Sequence, residues 1–260
     1  MKILQQRAAC SACKGGVDEP FPFSMAFQPI VDVSTGKVFA YEALARGPEG
    51  QSAQFVLDQV SDRNRYAFDQ SCRIKAITLA SRLGLEATGA MLSINFMPGA
   101  VYSPAACIQV TLTTARELAF PLERLIFEIV EVEKVRSSEH LMSIVNAYRN
   151  CGFKVALDDF GAGWSGLNLL AGVSTNVLKL DMALIRNLGR RPRAVAIIDA
   201  LVKLCATLDI DIIAEGIETI HEYRVLQKIG VRLMQGYLFA KPTFEQLPQI
   251  TMPVLNSAVA

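Results

Sequence analysis

Short apolar runs that close on a polar side chain recur along this chain, and that recurrence restricts its fold more than any other feature. Ala40-Tyr41 leads to Glu42, Met91-Leu92-Ser93-Ile94 to Asn95, and Leu125-Ile126-Phe127 to Glu128. Val155-Ala156-Leu157 closes on Asp158 and Asp159, and Val177-Leu178 on Lys179 and Asp181. Ile212-Ile213-Ala214 leads to Glu215, and Leu233-Met234 to Gln235. Runs this short, separated by helical periodicity, are expected to be buried strands of a parallel sheet with crossover helices. Strands are expected over 25–33, 38–46, 91–95, 125–130, 154–158, 176–180, 211–214 and 233–235. Helices are expected over 52–60, 63–83, 111–119, 139–151, 167–170, 193–208 and 219–229. Ser34-Thr35-Gly36-Lys37 separates the first two strands by a hairpin length, so that pair is expected to be antiparallel. Seven or eight such strands imply closure into a barrel, whose active site forms at the C-terminal strand ends.

The bulk numbers agree with one domain. The chain has 260 residues, 51% of them hydrophobic and 20% charged, which supplies a large core and argues against disorder. Gly15-Gly16, Pro20 and Pro22 make residues 1–22 an expected N-terminal tail, and Pro248 and Pro253 make 248–260 a C-terminal one. Residues 23–247 form the expected barrel. A net charge of +1 gives no overall field to attract a nucleic-acid polymer or an anionic membrane. No bilayer-spanning run and no secretory signal is present, so a cytoplasmic location is the default expectation. The six cysteines are then expected as free thiols. Cys10 and Cys13 form a lone CxxC without the second pair that a structural zinc site needs.

The strand-end residues carry the chemistry. Glu42, Asn95, Glu128, Asp158 and Asp159 are oxygen donors, and no histidine or cysteine stands at a strand end. An all-oxygen set selects hard cations, magnesium or manganese, over zinc. Adjacent aspartates repel each other unless a cation lies between them, and one carboxylate can bridge two ions. A two-metal site clamps an in-line displacement at phosphorus and activates the attacking water. Lys179 fits beside that water or a phosphate oxygen. Glu215 fits as proton acceptor or as a ligand of the second ion. Arg46 is a candidate for a bidentate phosphate contact.

At these residues the chain resembles a known family. Tyr41-Glu42-Ala43-Leu44-Ala45-Arg46 looks like the signature of EAL domain cyclic di-GMP phosphodiesterases, and the similarity runs from about Phe27 to Pro242. Gln28-Pro29-Ile30, Asn95, Glu128-Ile129-Val130-Glu131, Asp158-Asp159-Phe160-Gly161, Lys179-Leu180-Asp181, Glu215-Gly216-Ile217-Glu218 and Gln235-Gly236-Tyr237 match its motifs in order. The stretches from Asn64 to Gln70 and from Gly166 to Leu170 look like EAL domains that often follow blue-light-sensing flavin modules.

That resemblance implies a modified (β/α)8 barrel of TIM type with one antiparallel strand, hydrolysing cyclic di-GMP to linear pGpG with two magnesium or manganese ions. By it, Glu42, Asn95, Glu128 and Asp158 hold the first ion, and Asp158 and Asp159 the second. Lys179 and Glu215 position and deprotonate the water, with Asp181, Glu218 and Gln235 in support. Glu131 anchors the loop after Asp159, while Gln28, Leu44 and Arg46 contact the nucleotide. It also implies a homodimer through the segment after Asp159, where Trp164, Leu167, Leu169 and Leu170 supply apolar area. A separate sensor protein or domain is a further expected partner. Val130, Ala162, Trp164 and Gly166 depart from the usual threonine, threonine, tyrosine and serine. Two other functions compete: a non-catalytic receptor for cyclic di-GMP or a protein partner, and a barrel enzyme acting on another phosphoester.

Overall fold

The computed structural model describes residues 20–130, 138–162 and 166–254. Glu131, Trp164, Cys10 and Cys13 lie outside them. The described chain opens on the expected hairpin. Strands β1 (Ser24–Asp32) and β2 (Lys37–Arg46) pair antiparallel, with Gln28 opposite Glu42. The turn needs φ +68° at Gly36, and Asp32 caps it by accepting the Ser34 amide at 3.0 Å.

Helices α1 (Ala53–Leu57), α2 (Arg65–Arg82) and α3 (Leu85–Thr88) lead to β3 (Met91–Phe96). Alternation then continues through α4 (Pro104–Glu117), β4 (Leu125–Val130), α5 (Ser138–Asn150), β5 (Lys154–Phe160), α6 (Gly166–Gly172) and β6 (Val177–Leu180). The remaining elements are α7 (Met182–Ile185), α8 (Pro192–Leu208), β7 (Asp211–Ala214), α9 (Ile220–Lys228), β8 (Leu233–Gln235) and β9 (Thr243–Phe244). Strands β2 to β8 are parallel neighbours. Strand β1 lies antiparallel between β8 and β2 and closes the ring. The fold is therefore the expected barrel of eight strands with one antiparallel member. Strand β9 adds to β1 outside the ring.

Side chains alternate along strands, so every second residue points into the barrel. One residue from each strand forms the apolar floor of the lumen: Ile30, Ala40, Met91, Ile126, Ala156, Val177, Ile213 and Leu233. Burying each of the larger ones, the isoleucines, Met91, Val177 and Leu233, contributes about 1.5–3 kcal/mol. Two residues nearer the mouth, the eight positions are Gln28, Glu42, Ser93, Glu128, Asp158, Lys179, Glu215 and Gln235, and all are polar. The outward-facing residues of the same strands, such as Phe27, Leu92, Phe127 and Leu178, pack under the helices in the main core. Beyond residue 247, Ile250 and Met252 also pack on that core, and Pro248 O accepts the Tyr41 hydroxyl at 3.2 Å. No helix among the described residues is long and apolar enough to cross a membrane.

Candidate active site

The polar layer converges on one ammonium. Lys179 is 1% exposed, and its Nζ lies 2.6 Å from Glu128 Oε2 and 2.6 Å from Glu215 Oε1. Asp158 Oδ1 is 3.1 Å away and Glu42 Oε2 3.6 Å. Glu42 also accepts Asn95 Nδ2 at 2.8 Å and Gln235 Nε2 at 2.9 Å. Ser93 Oγ donates to Glu128 Oε1 at 2.5 Å. Ser93 was not among the residues singled out from the sequence. Its two-residue step from Met91 into the lumen is the signal that marks it.

Neighbouring residues in a strand point to opposite faces, yet the carboxylates of Asp158 and Asp159 both come near Glu215. A bulge explains this: Leu157 pairs with Leu178 but Phe160 pairs with Leu180, so β5 carries one extra residue. The extra residue takes φ +54° at Asp159, a left-handed conformation uncommon for a side-chain-bearing residue. Carboxylate oxygens of Asp158, Asp159 and Glu215 then lie within 4.8 Å of one another.

The electrostatics follow from crowding in a dry place. Burial pushes Glu215 up to about 8, and Asp158 and Glu42 add to that against the pull of Lys179. Burial, then the neighbouring Asp158 and Asp181, lift Asp159 to about 6. Glu128 is raised well above the usual carboxylate range by burial and by Glu42. Burial would raise Glu42 too, but Lys179 and the Gln235 and Asn95 donors hold it below its ordinary value. Burial works against the charge of Lys179, and the surrounding carboxylates overcome it and raise its pKa well above normal.

One ammonium cannot neutralise this many carboxylates, and the donor set is all oxygen. Beside Glu42, the buried Gln235 Oε1 has no hydrogen-bond partner. Both features fit a hard divalent cation. A cation bound there would displace protons from Asp159 and Glu215, so manganese should bind more tightly as pH rises from about 6 to about 8. Carboxylates with raised pKa values stabilise the fold below their unfolded values and lose that contribution as pH rises through the folded ones. The manganese-induced rise in melting temperature should therefore be larger at pH 8 than at pH 6. Equal rises at both pH values, measured by thermal denaturation, would contradict this charge balance.

The remaining singled-out residues fall at different depths. Asp181 caps α7 through the Ala183 amide at 2.7 Å. Glu218 is exposed and ion-paired with Arg186, so its carboxylate is engaged outside the lysine cluster. Gln28 is buried and donates to Ala240 O at 3.4 Å. Leu44 and Arg46 are half-buried at the end of β2, with Arg46 Nη1 on Ala45 O at 2.8 Å. Glu222, also missed from the sequence, ties the loops after β6 and β7 together. It accepts the amides of Asn187 at 3.1 Å, Glu218 at 3.2 Å and Thr219 at 3.1 Å. The glycine between Glu215 and Ile217 is required there: at φ +66°, a Cβ on Gly216 would lie 2.4 Å from Met182 Cβ.

The described geometry has close counterparts among known proteins. The family model for the EAL domain matches residues 21–242. The blue light- and temperature-regulated antirepressor BluF of Escherichia coli is 31% identical over 228 residues, 88% of this chain and 56% of BluF. Cyclic di-GMP phosphodiesterase PA2567 of Pseudomonas aeruginosa is 30% identical over 86% of this chain and 39% of its own length. The chain thus spans about half or less of these curated relatives. Among solved structures, a standalone versatile EAL protein from Vibrio cholerae O395, in its c-di-GMP bound form, superposes with a TM-score of 0.86. It is 48% identical, and the match covers 90% of this chain and 98% of that one. Klebsiella pneumoniae BlrP1, in a manganese/cy-diGMP complex, gives a TM-score of 0.83 at 32% identity, covering 89% of this chain and 58% of BlrP1. With its barrel, polar lumen layer and ordered motifs in place, this chain belongs to the EAL domain family.

Proposed function

We propose that this chain is a metal-dependent phosphodiesterase that hydrolyses cyclic di-GMP to linear pGpG. The observation that carries the proposal is the convergence of Glu42, Asn95, Glu128, Asp158, Asp159 and Glu215 around Lys179 at the mouth of the barrel. A c-di-GMP bound form of the Vibrio cholerae relative and the manganese/cy-diGMP complex of BlrP1 support it. Glu42, Asn95, Glu128 and Asp158 would hold one magnesium or manganese ion, and Asp158 with Asp159 a second. When bound, such ions would polarise the scissile phosphoryl group and lower the pKa of the attacking water.

The chain's own residues do the rest. Glu215 accepts the proton of the attacking water, and the Lys179 ammonium holds that water and the carboxylates in place. Gln235 and Asn95 fix the rotamer of Glu42 through its two oxygens. Gln28, Leu44 and Arg46 stand at the mouth, where a doubly anionic nucleotide would meet the Arg46 guanidinium. A homodimer through the segment after Asp159, and a sensor domain or protein of the kind the blue-light-regulated relative suggests, belong to the same proposal.

Incubation with cyclic di-GMP and either manganese or calcium tests it. Manganese or magnesium should support turnover. Calcium should suppress it, because it is larger, takes more ligands and is a weaker Lewis acid. Product separation showing no pGpG in manganese would reject hydrolysis, and undiminished turnover in calcium alone would reject the metal assignment. A second reading is favoured by BluF, which is named as an antirepressor. In that reading the barrel binds cyclic di-GMP or a protein without cleaving it, and the same assay would then return intact nucleotide.

A further inference from the structure

Arg73 is the largest fully buried side chain of the described residues, and nothing in the hydrolytic reading uses it. It stands on α2, outside the ring, behind β3 and β4. Burying a guanidinium is costly unless its charge and donors are matched. Here the charge is matched and Nη1 is hydrogen-bonded, while Nε and Nη2 have no hydrogen-bond partner. Nη2 lies 2.7 Å from Asp69 Oδ2, and Nη1 donates to the Tyr148 hydroxyl of α5 at 2.6 Å. The guanidinium carbon lies 5.4 Å from the Phe96 ring centroid, 5.3 Å from that of Phe127 and 5.5 Å from that of Tyr148. Phe127 and Tyr148 stack edge to face at 5.1 Å.

The partners are the notable part. Phe96 follows Asn95, and Phe127 precedes Glu128, so each ring is the outward neighbour of an inward oxygen donor. Asn95 and Glu128 are register partners across β3 and β4. Asp69 Oδ1 also accepts the Met97 amide at 2.8 Å, two residues past Asn95. The one cation therefore touches both strand ends from behind and, through Asp69, fixes the backbone where β3 ends.

We propose that Arg73 is a positioning residue, setting the spacing of Asn95 and Glu128 from the outer face of the barrel and thereby the affinity of the site for its first cation. This rests on the cation-dependent reading above. Outer partners of metal ligands change affinity or activity by about 10–100-fold when removed. A displacement of about 1 Å at a reacting site can cost about 10²-fold in rate. A purely structural Arg73 would change the melting temperature and leave cation binding alone.

The test compares wild type, Arg73→Met and Tyr148→Phe. Methionine keeps the length and apolar contacts of the stem. The tyrosine change deletes one hydrogen bond and keeps the ring, so it stays informative where Arg73→Met does not fold. Manganese binding is measured by calorimetry in the absence of nucleotide, and kcat and KM for cyclic di-GMP are measured separately. We expect Arg73→Met to weaken manganese binding and lower kcat by about tenfold, with KM within about twofold. Tyr148→Phe should shift manganese binding in the same direction by a smaller factor. Unchanged manganese affinity in a folded Arg73→Met, or in Tyr148→Phe where Arg73→Met does not fold, would overturn the inference. Manganese binding without turnover in wild type would overturn the hydrolytic reading and still leave the calorimetric comparison decisive. Wild type that binds no manganese would overturn both.

Discussion

Glu215→Gln should keep cyclic di-GMP binding and lose about 10²–10⁴ in kcat, the usual loss when a positioned base is removed. Glutamine preserves the shape and one oxygen of the side chain. It cannot take a proton. The metal-free carboxyl sits at about 8, with burial the main cause, followed by the pull of Lys179 and the push of Asp158 and Glu42. Without metal such a carboxyl is largely protonated at neutral pH, and a bound cation would shift its titration downward and free it to accept a proton. Binding is expected to persist because Gln28, Leu44 and Arg46, the proposed nucleotide contacts, are untouched. Glu42→Ala should differ: it removes a buried oxygen donor held by Asn95 and Gln235, so manganese binding and turnover should fall together. Equilibrium binding of the nucleotide and single-turnover rates separate the two variants. Hydrolysis by Glu215→Gln at the wild-type rate would assign Glu215 another role.

How far the sequence carried the fold depends on which physical signal each element has. Strands β2 to β8 were legible because each is a short apolar run ending on a polar residue, and burial on both faces requires that pattern, whereas β1 was legible from its hairpin spacing to β2. Helix α4 was expected to start at Thr111, but it starts at Pro104. Pro104 stands at the first helical position, where a proline loses no hydrogen bond. The four-residue helices α3 and α7 are too short for any periodicity, and β9 is two residues held by pairing with β1. Within the site, Glu42, Glu128, Asp158 and Lys179 were visible as strand-end charges. Ser93 was hidden because a serine in a strand is ordinary, and only the step from Met91 reveals it. Arg73 was hidden more deeply. The stretch 63–83 reads as a helix with or without it, and its burial comes from Phe96, Phe127 and Tyr148, which lie far away in sequence. Glu222 was legible in principle, because Thr219 and Glu222 form a capping box and its spacing is local.

Lys179→Met should be the most destabilising single change at this site in the metal-free protein. The variant leaves Glu42, Glu128 and Asp158 buried together without the ammonium that faces them at 3.6, 2.6 and 3.1 Å. Removing one partner of a buried ion pair typically costs about 3–5 kcal/mol. For a domain of this size that is a fall of roughly 10 °C in melting temperature. The sign with pH follows from the same carboxylates. Without the lysine, Glu128 and Glu215, already raised by burial, lose its downward pull, so they take protons as pH falls and the deficit of the variant narrows. The difference from wild type should be largest near pH 8 and small near pH 5. Divalent cation should act in the opposite sense, supplying positive charge where the ammonium was lost. Manganese should therefore raise the melting temperature of Lys179→Met more than that of wild type, while turnover stays lost because no group then holds the attacking water. Thermal denaturation of both proteins at pH 5 and pH 8, with and without manganese, reads all of these changes. A variant as stable as wild type at pH 8 without metal would mean that the carboxylates balance their charge by sharing protons. Lys179 would then be a substrate- or water-binding group only, and the buried acids would be tolerated for the sake of the cation alone.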